Sequence, residues 1–151
     1  MIVDSSRPHI AVVGRRNVGK SLLVNSLLEQ NVSLVSDIAG TTTDAVKTRY
    51  ELLPYGPVVI VDTAGIDDEG ELGRQRITET IKILSSSDFA LVVLDARETL
   101  QSKELELFAY LDKLQINYIV AVNKIEFGVN PVLLEELKEL RMTHFEVSCK
   151  E

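Results

Sequence analysis

The sequence predicts a three-layer α/β/α fold around a mostly parallel, doubly wound sheet with one antiparallel edge strand. Nearly continuous apolar runs alternate with amphipathic stretches along the chain, which is typical of parallel strands joined by crossover helices. The chain has 151 residues, 45% of them hydrophobic, which is enough for one sizeable core and too few for two ordinary domains. We therefore expect a single domain over residues 1–151.

Five short runs are the candidates for buried strands, because almost every residue in them is apolar, as in strands covered on both faces. They are Ile10 to Val13, Val58 to Val61, Phe89 to Leu94, Tyr118 to Val122 and Phe145 to Val147. The run Val46 to Leu53 differs, since apolar and charged side chains alternate along it. Such alternation indicates one face on the core and one in water, so we expect this run to be the antiparallel edge strand.

Amphipathic stretches between the strands predict helices, each with one buried stripe of apolar residues at three- or four-residue spacing. The stripes are Leu23/Leu27, Ile77/Ile81/Leu84, Leu107/Leu111/Leu114 and Leu133/Leu137/Leu140. We expect all of them to belong to the core rather than to a functional site.

Charge balance and cysteine content exclude several classes of function. With 16 Lys+Arg against 23 Asp+Glu and a net charge of -7, the surface is unsuited to electrostatic binding of nucleic acid or anionic lipid. Cys149 is the only cysteine, so these residues can form neither an internal disulfide nor a cysteine-ligated iron–sulfur cluster. The N-terminal residues resemble neither a signal peptide nor a membrane span, and we expect a cytoplasmic protein that does not bind membranes.

A glycine-containing loop follows the first apolar run and precedes the first helix. It fits the pattern G-x-x-x-x-G-K-S/T and consists of Gly14, Arg15, Arg16, Asn17, Val18, Gly19, Lys20 and Ser21. In such a loop backbone N–H groups converge on phosphate oxygens, and the helix N-terminus adds its positive end. Lys20 is predicted to neutralise the terminal phosphates, and Ser21 is predicted to ligate Mg2+. A plain glycine turn with a solvated lysine is disfavoured by the flanking strand and helix.

Two further motifs point to the same kind of ligand. Asp62 ends the run that starts at Val58, where its carboxylate can hold the water ligands of the metal, and the N–H of Gly65 would donate to the terminal phosphate. Thr42 lies in the loop G-T-T-T-D, and its hydroxyl can complete the Mg2+ shell only while the last phosphate is present, which would make the loop a switch. Taken alone, the two motifs are also compatible with an ordinary strand exit and a threonine-rich turn.

Polar motifs also follow the last two strand candidates. Asn123, Lys124 and Glu126 belong to N-K-I-E, and Ser148, Cys149 and Lys150 form S-C-K. With the phosphate motifs they resemble the ordered motif set of the translation-factor-like P-loop GTPases over essentially the whole chain. The resemblance implies that GTP or GDP binds, with the Asn and Lys flanking the guanine, the carboxylate pairing with its N–H groups, and the backbone of the last motif contacting its oxygen. The family carries Asp where this chain has Glu126, which is one methylene longer.

Within that group the chain resembles the FeFe-hydrogenase maturation GTPases of the HydF type, through G-R-R-N-V-G-K-S, S-D-I-A-G-T-T-T-D and D-T-A-G-I-D-D-E-G-E-L-G. The resemblance implies the N-terminal GTPase domain of a longer scaffold protein, without the domain's closing helix. It also implies hydrogenase maturation proteins, the hydrogenase and a second copy of the chain as partners. GTPases that modify tRNA or assemble ribosomes share the first and third segments but usually have Arg at the position of Thr43. A nucleotide-sensing module with negligible hydrolysis is a third interpretation.

The residue after Gly65 is Ile66, where Ras-type GTPases carry a water-orienting glutamine. Because isoleucine cannot hydrogen-bond water, another group must orient it, and Glu71 is our candidate among residues that are otherwise typical of a solvated acidic loop. No arginine finger is recognisable, so the charge that builds up on the phosphates needs another positive group. In K+-activated relatives an asparagine at the position of Asn17 helps to bind K+, and the resemblance implies the same role here. The alternative is a residue that only permits an unusual loop conformation.

Overall fold

The computed structural model of the chain describes residues 8–15, 18–20, 22–24, 32–37, 45–52, 56–63 and 70–148. Its strands and helices alternate along the second half of the chain, as the sequence predicts. The strands are β1 (His9–Val13), β2 (Val32–Asp37), β3 (Ala45–Leu52), β4 (Gly56–Thr63), β5 (Phe89–Asp95), β6 (Asn117–Asn123) and β7 (His144–Glu146). The helices are α1 (Gly70–Ser85), α2 (Ser102–Lys113) and α3 (Pro131–Glu139), with a 3-10 turn at Ile125–Phe127 and helical residues at positions 20 and 22–24.

The seven strands form one sheet in the order β2-β3-β4-β1-β5-β6-β7. Neighbouring strands from β4 to β7 in that order pair in parallel, whereas β3 pairs antiparallel with both β4 and β2. The predicted α/β doubly wound class is confirmed. One detail is different: the antiparallel strand lies next to the edge of the sheet, because β2 pairs with its outer side. Strand β2 was not predicted, because its pairing with β3 contains a register shift between Leu34 and Ser36 that interrupts the simple alternation expected of a strand.

Both faces of the sheet are covered, which explains the nearly continuous apolar runs. On one face Ala11, Val13 and Val92 belong to a core cluster with Leu107 and Leu137 of α2 and α3. Val12, Leu91 and Val93 point into a second cluster, which contains Val18, Leu23 and Val24 from the phosphate-loop region. Alternate residues of the same strands therefore pack into the core clusters on opposite faces of the sheet.

Helices α2 and α3 begin at polar caps that the sequence provides. Gln101 and Glu104 form a capping box at the start of α2, and the side chain of Asn130 accepts a hydrogen bond from the N–H of Val132 at 2.9 Å, with Pro131 in the first turn of α3. The predicted stripes are buried at Leu84, Leu107, Leu111, Leu133 and Leu137. Leu140 was wrongly included, because it is 47% exposed; α3 ends at Glu139, so Leu140 is its C-cap and lies beyond the stripe.

The two central strands extend one residue further than their apolar runs, so that β5 ends at Asp95 and β6 at Asn123. These polar residues are directly paired across the sheet. They lie at the carboxyl edge of the strands, which is where ligands bind in open α/β sheets. Among the described residues no helix is both long and apolar enough to cross a membrane.

Candidate functional site

The loop after β1 can follow its path only because glycine occupies two of its positions. A Cβ at Gly14 would lie 2.6 Å from the carbonyl oxygen of Val93 in the neighbouring strand β5. Gly19 has φ +92°, and a Cβ there would collide with the side-chain amide of Asn123. Any larger residue would therefore push the loop away from the edge of the sheet.

Lys20 is folded back over this loop. Its side chain is buried, and Nζ donates hydrogen bonds to the carbonyl oxygens of Gly14 and Arg15, each at 3.1 Å. A buried ammonium group needs such acceptors because desolvation is otherwise costly. Helical structure starts at this point, where the N–H of Leu23 bonds to the carbonyl of Gly19 at 2.9 Å. A positive side chain and a helix N-terminus thus meet at the predicted phosphate site.

Asn123 joins the phosphate loop to the N-K-I-E motif. Its side chain is buried, and Nδ2 donates to the carbonyl oxygen of Val18 at 3.0 Å. Its Oδ1 has no hydrogen-bond partner in the described part of the chain. A buried polar atom left unsatisfied costs about 1–3 kcal/mol, so this oxygen is a suitable acceptor for a donor group on a ligand. The structure therefore places the phosphate loop and the N-K-I-E motif side by side, although 105 positions separate Val18 from Asn123.

The N-K-I-E and S-C-K motifs also meet in space. Glu126 lies in the 3-10 turn after β6, and its Oε1 accepts a hydrogen bond from the hydroxyl of Ser148 at 2.7 Å. The backbone contact from the N–H of Ile125 to the carbonyl of Val147, at 3.3 Å, holds the two segments together. Lys124 enters the turn with φ 68°. The two predicted base motifs form one continuous surface.

Asp95 is a member of the site that the sequence analysis missed. It is 3% exposed and accepts three hydrogen bonds from Arg97, at 2.7 to 3.0 Å from the guanidinium and 2.9 Å from the backbone N–H. Lys124 Nζ lies 3.7 Å from its Oδ2. The bonds from Arg97 lower the pKa of the Asp95 carboxyl. A carboxylate at the carboxyl end of an apolar strand was the available signal, since the same reasoning identifies Asp62.

The guanidinium of Arg97 in turn lies over an aromatic ring, 5.1 Å from the centroid of Phe127. Phe127 itself is 64% exposed. Arg97 therefore links the carboxylate at the end of β5 to the turn that carries Glu126. The cluster of Asp95, Arg97, Lys124 and Phe127 supports the base motifs from the side of β5.

The side chain of Arg15 is held by two carboxylates. Its Nη2 lies 2.8 Å from Glu98 Oε1, and its Nε lies 3.2 Å from Glu104 Oε2. Glu104 is 1% exposed, and burial raises the pKa of its carboxyl. Neither glutamate was predicted, because Glu104 in the first turn of a helix by itself indicates at most a capping role, and Glu98 in the turn after β5 belongs to no motif. A role for Arg15 in ligand binding through its backbone stays a prediction.

The remaining predicted site residues are only partly within the described structure. Asp62 pairs with Val12 near the end of β4, so its backbone lies at the carboxyl edge beside the phosphate loop. Glu71 lies in the first turn of α1. The other predicted residues lie outside the described residues; they are Arg16, Asn17, Ser21, Thr42, Gly65, Cys149 and Lys150. In the part of the chain that the structure describes, no group of three or more His, Cys, Asp or Glu side chains could hold a metal ion.

Comparison with known proteins agrees with this geometry. Residues 9–124 match the sequence profile of a family described as 50S ribosome-binding GTPase. Among curated proteins, the chain is 31% identical to GTPase Der of Bacteroides thetaiotaomicron over 153 aligned residues, 99% of this chain and 33% of that protein. It is 37% identical to GTPase Der of Nitratiruptor sp. over 143 aligned residues, covering 91% of this chain and 30% of that protein. The chain thus spans about a third of the length of these relatives.

Solved structures give the same result. A single-residue variant of Era from Aquifex aeolicus, bound to GDP and aluminium fluoride, superimposes with a TM-score of 0.74 and 30% identity, over 93% of this chain and 50% of that one. Era in complex with MgGDPNP and nucleotides 1506–1542 of 16S ribosomal RNA superimposes with a TM-score of 0.74 and 28% identity, over 94% of this chain and 51% of that one. The family profile covers well over half of the chain, and the structure places its phosphate and base motifs together. The chain belongs to the family of 50S ribosome-binding GTPases.

Proposed function

We propose that this chain is a Mg2+-dependent switch domain that binds GTP and hydrolyses it to GDP and phosphate. The observation that carries the proposal is the hydrogen bond from Asn123 Nδ2 to the carbonyl of Val18, because it joins the predicted base site to the predicted phosphate loop. One ligand with a base at one end and phosphates at the other fits such a surface. Family membership and the likeness to Era bound to guanine nucleotides support the same conclusion.

Each predicted residue has a defined task in this proposal. Lys20 and the N–H groups of the loop bind the phosphates, with Gly65 donating to the last one. Ser21 and Thr42 would hold Mg2+ through their hydroxyls, and Asp62 would hold its water ligands; the ion supplies positive charge at the phosphates that react. Gly14 and Gly19 let the loop pack directly against Val93 and Asn123, which keeps the backbone of the loop at the edge of the sheet.

Guanine preference is assigned to Glu126. Its carboxylate can accept hydrogen bonds from the N–H groups at one edge of guanine, whereas adenine offers no matching donor pair there. In the structure one carboxylate oxygen already accepts a hydrogen bond from Ser148, which orients the group. The longer side chain is therefore held in place by the neighbouring motif.

The hydrolytic step requires a positive group that compensates for the missing arginine finger. Of the described arginines near the site, Arg15 is bound to Glu98 and Glu104, and Arg97 is bound to Asp95. Because both guanidinium groups are paired with carboxylates, neither is placed to stabilise charge on the phosphates. This supports K+, bound with the help of Asn17, as the source of positive charge. Glu71 is proposed to orient the attacking water, since its backbone lies in the first turn of the helix that follows the Gly65 segment.

The decisive experiment is steady-state phosphate release from Mg-GTP and Mg-ATP, in KCl and in NaCl at equal ionic strength. We expect turnover with GTP only, and well above the NaCl rate in KCl. Asn17→Ala should remove most of the difference between the salts while GDP affinity stays nearly constant. Equal rates in both salts would show that a partner, not K+, supplies the charge; guanine binding without turnover under any condition would favour the nucleotide-sensing interpretation.

Two candidates remain for the process that the switch serves. The first is ribosome assembly, with the family description and the Era complex with 16S ribosomal RNA in its support. The similar proteins reported above carry the names Der and Era, which favours this candidate over the second. The net charge of -7 means that contacts to RNA would have to come from another part of the protein.

The second candidate is a scaffold role in FeFe-hydrogenase maturation, of the HydF type. Its support is confined to sequence segments, namely G-T-T-T-D with Thr43 in place of the usual Arg, and D-D-E-G-E-L-G after Ile66. In this candidate the partners are other maturation proteins, the hydrogenase and a second copy of the protein.

Experiments on the full-length protein distinguish ribosome assembly from hydrogenase maturation. Co-sedimentation with either ribosomal subunit in the GTP-bound form, lost with GDP, supports ribosome assembly. A cysteine-ligated iron–sulfur cluster detected by absorbance and iron content, together with restored hydrogenase activity in a deletion strain, supports hydrogenase maturation. A protein that shows neither property would refute both candidates and leave the GTPase assignment intact.

A further inference from the structure

A buried carboxylate far from the phosphate loop in sequence is tied to that loop by an ion pair. Glu104 is 1% exposed, and its Oε2 lies 3.2 Å from Nε of Arg15, the second residue of the loop. The two positions are 89 residues apart. A carboxylate so deeply buried is destabilising unless its oxygens are paired.

Both oxygens of Glu104 are paired. Oε1 accepts a hydrogen bond from the N–H of Gln101 at 2.8 Å and so closes the start of α2, while Oε2 is used by Arg15. Glu98 binds the other end of the same guanidinium at 2.8 Å, but its side chain is 44% exposed. One buried and one exposed carboxylate therefore hold Arg15 from the α2 side of the sheet edge.

The backbone of Arg15 contacts the phosphate-binding lysine. The carbonyl oxygens of Arg15 and Gly14 are the two acceptors for Lys20 Nζ. A side chain that anchors Arg15 therefore also limits where its carbonyl, and with it the ammonium group of Lys20, can lie. Rigid support of this kind raises affinity by reducing the ordering that binding requires.

We infer that Glu104 is a positioning residue for nucleotide binding, which acts through Arg15 to hold the phosphate loop in its binding conformation. The inference rests on the proposed function, since it assigns a support to the same site. It attributes to α2 a task beyond packing, because the first turn of that helix supplies the anchor. A loop held before binding favours GDP and GTP equally, since both carry the phosphates that the loop contacts.

The test uses Glu104→Gln with Glu98→Gln as the matched control. Both variants remove one negative charge beside the same guanidinium. In Glu104→Gln the amide oxygen of the new side chain still accepts from the N–H of Gln101, so the start of α2 stays capped. Dissociation constants for Mg-GDP and for a non-hydrolysable Mg-GTP analogue are measured by calorimetry, and the melting temperature is recorded without nucleotide.

We expect Glu104→Gln to weaken both ligands by about tenfold, since a hydrogen bond to a charged group is worth that much or more. Glu98→Gln should weaken them by less than about threefold, as expected for an exposed pair. At saturating GTP, kcat should change little, because the support acts on binding rather than on the reacting groups.

A double-mutant cycle shows whether the effect passes through Arg15. If it does, Arg15→Ala combined with Glu104→Gln should bind nucleotide no more weakly than Arg15→Ala alone. Additive losses, or a lower melting temperature with unchanged dissociation constants, would reduce Glu104 to a helix cap and overturn the inference. Should the unaltered chain bind no guanine nucleotide, the proposed function itself fails; should it bind normally and Glu104→Gln bind equally well, only the positioning role fails.

Discussion

At the scale of single residues, buried charges define this molecule. Lys20, Asp95 and Glu104 are the charged residues among its buried polar side chains in the described structure, and each lies at or beside the carboxyl edge of the sheet. Charges are removed from water only at a cost, which hydrogen bonds from suitable partners must offset. Their concentration at one edge coincides with the proposed nucleotide site.

Removing the ammonium group of Lys20 should weaken nucleotide binding without unfolding the protein. Lys20→Ala is expected to weaken Mg-GDP binding by about 100-fold, because it deletes charge-assisted hydrogen bonds to phosphate. The fold should survive, since the variant also removes the cost of burying a charge. Calorimetric titration and thermal unfolding measure the two effects, with the exposed Lys113→Ala as control. Binding at the parental affinity would mean that the phosphates are held elsewhere.

Asp95 should make stability depend on pH in the acidic range. Hydrogen bonds from Arg97 lower the pKa of its carboxyl in the folded protein, so the unfolded chain binds the proton more readily. The contribution of Asp95 is therefore fully present above its unfolded pKa and is lost as pH falls through the lowered folded pKa. Asp95→Asn should be about 2 kcal/mol less stable at pH 7, and this difference should shrink between about pH 5 and pH 3. Urea unfolding of both proteins at several pH values tests this; a difference that stays constant with pH would contradict it.

At the scale of elements, the predicted stripes of α2 and α3 are buried except at the helix ends. Periodicity places Leu133, Leu137 and Leu140 on one face, yet the helix ends at Glu139 and its last leucine is exposed. Boundaries depend on the fit of the final turn against the sheet, which a repeat of three or four residues does not encode. Strand β2 was missed for a related reason, because a register shift breaks its alternation.

One leucine substitution within α3 and one at its C-cap compare the stability contributed by a buried and by an exposed leucine. Leu137 is fully buried and Leu140 is 47% exposed. Leu137→Ala should destabilise the protein by about 2–5 kcal/mol through lost burial and a cavity, whereas Leu140→Ala should change stability by less than about 0.5 kcal/mol. Denaturant midpoints of the two variants provide the comparison. Similar losses for both would mean that the stripe continues past the end of the helix.

At the scale of the whole molecule, the proposed ligand site connects distant parts of the chain. The phosphate loop after β1, the turn after β6 and the segment after β7 are joined by the contacts of Asn123 and Glu126. A ligand bound across them stabilises the folded state as a unit, by an amount set by ligand concentration and affinity. Stability in the presence of nucleotide therefore reports on the complete site.

Nucleotide-dependent stabilisation should follow the chemistry of the base. GDP with Mg2+ at about 100 times its dissociation constant should add about 2.7 kcal/mol to the free energy of unfolding, and ADP at the same concentration should add almost nothing. Glu126→Ala should reduce the effect of GDP, whereas Glu126→Asp should retain or increase it, since Asp is the residue that the family carries. The measurement is thermal unfolding with each nucleotide. An undiminished GDP effect in Glu126→Ala would show that this glutamate does not contact the base.

From the sequence alone we predict the α/β class, every strand of the sheet except β2, and the grouping of the phosphate and base motifs at one edge of the sheet. These features are local, because apolar runs, helical periodicity and strand-to-loop motifs are contained in short windows, and parallel strands bring their carboxyl ends together. Which charged side chains pair with one another depends instead on the packing of distant segments. Arg15 is bound to glutamates 83 and 89 positions away, and the base motif is bound to the phosphate loop across 105 positions. A chain with 16 basic and 23 acidic residues allows very many such pairings, and only the packing of β1 against β5, with the first turn of α2 beside them, selects the ones that form.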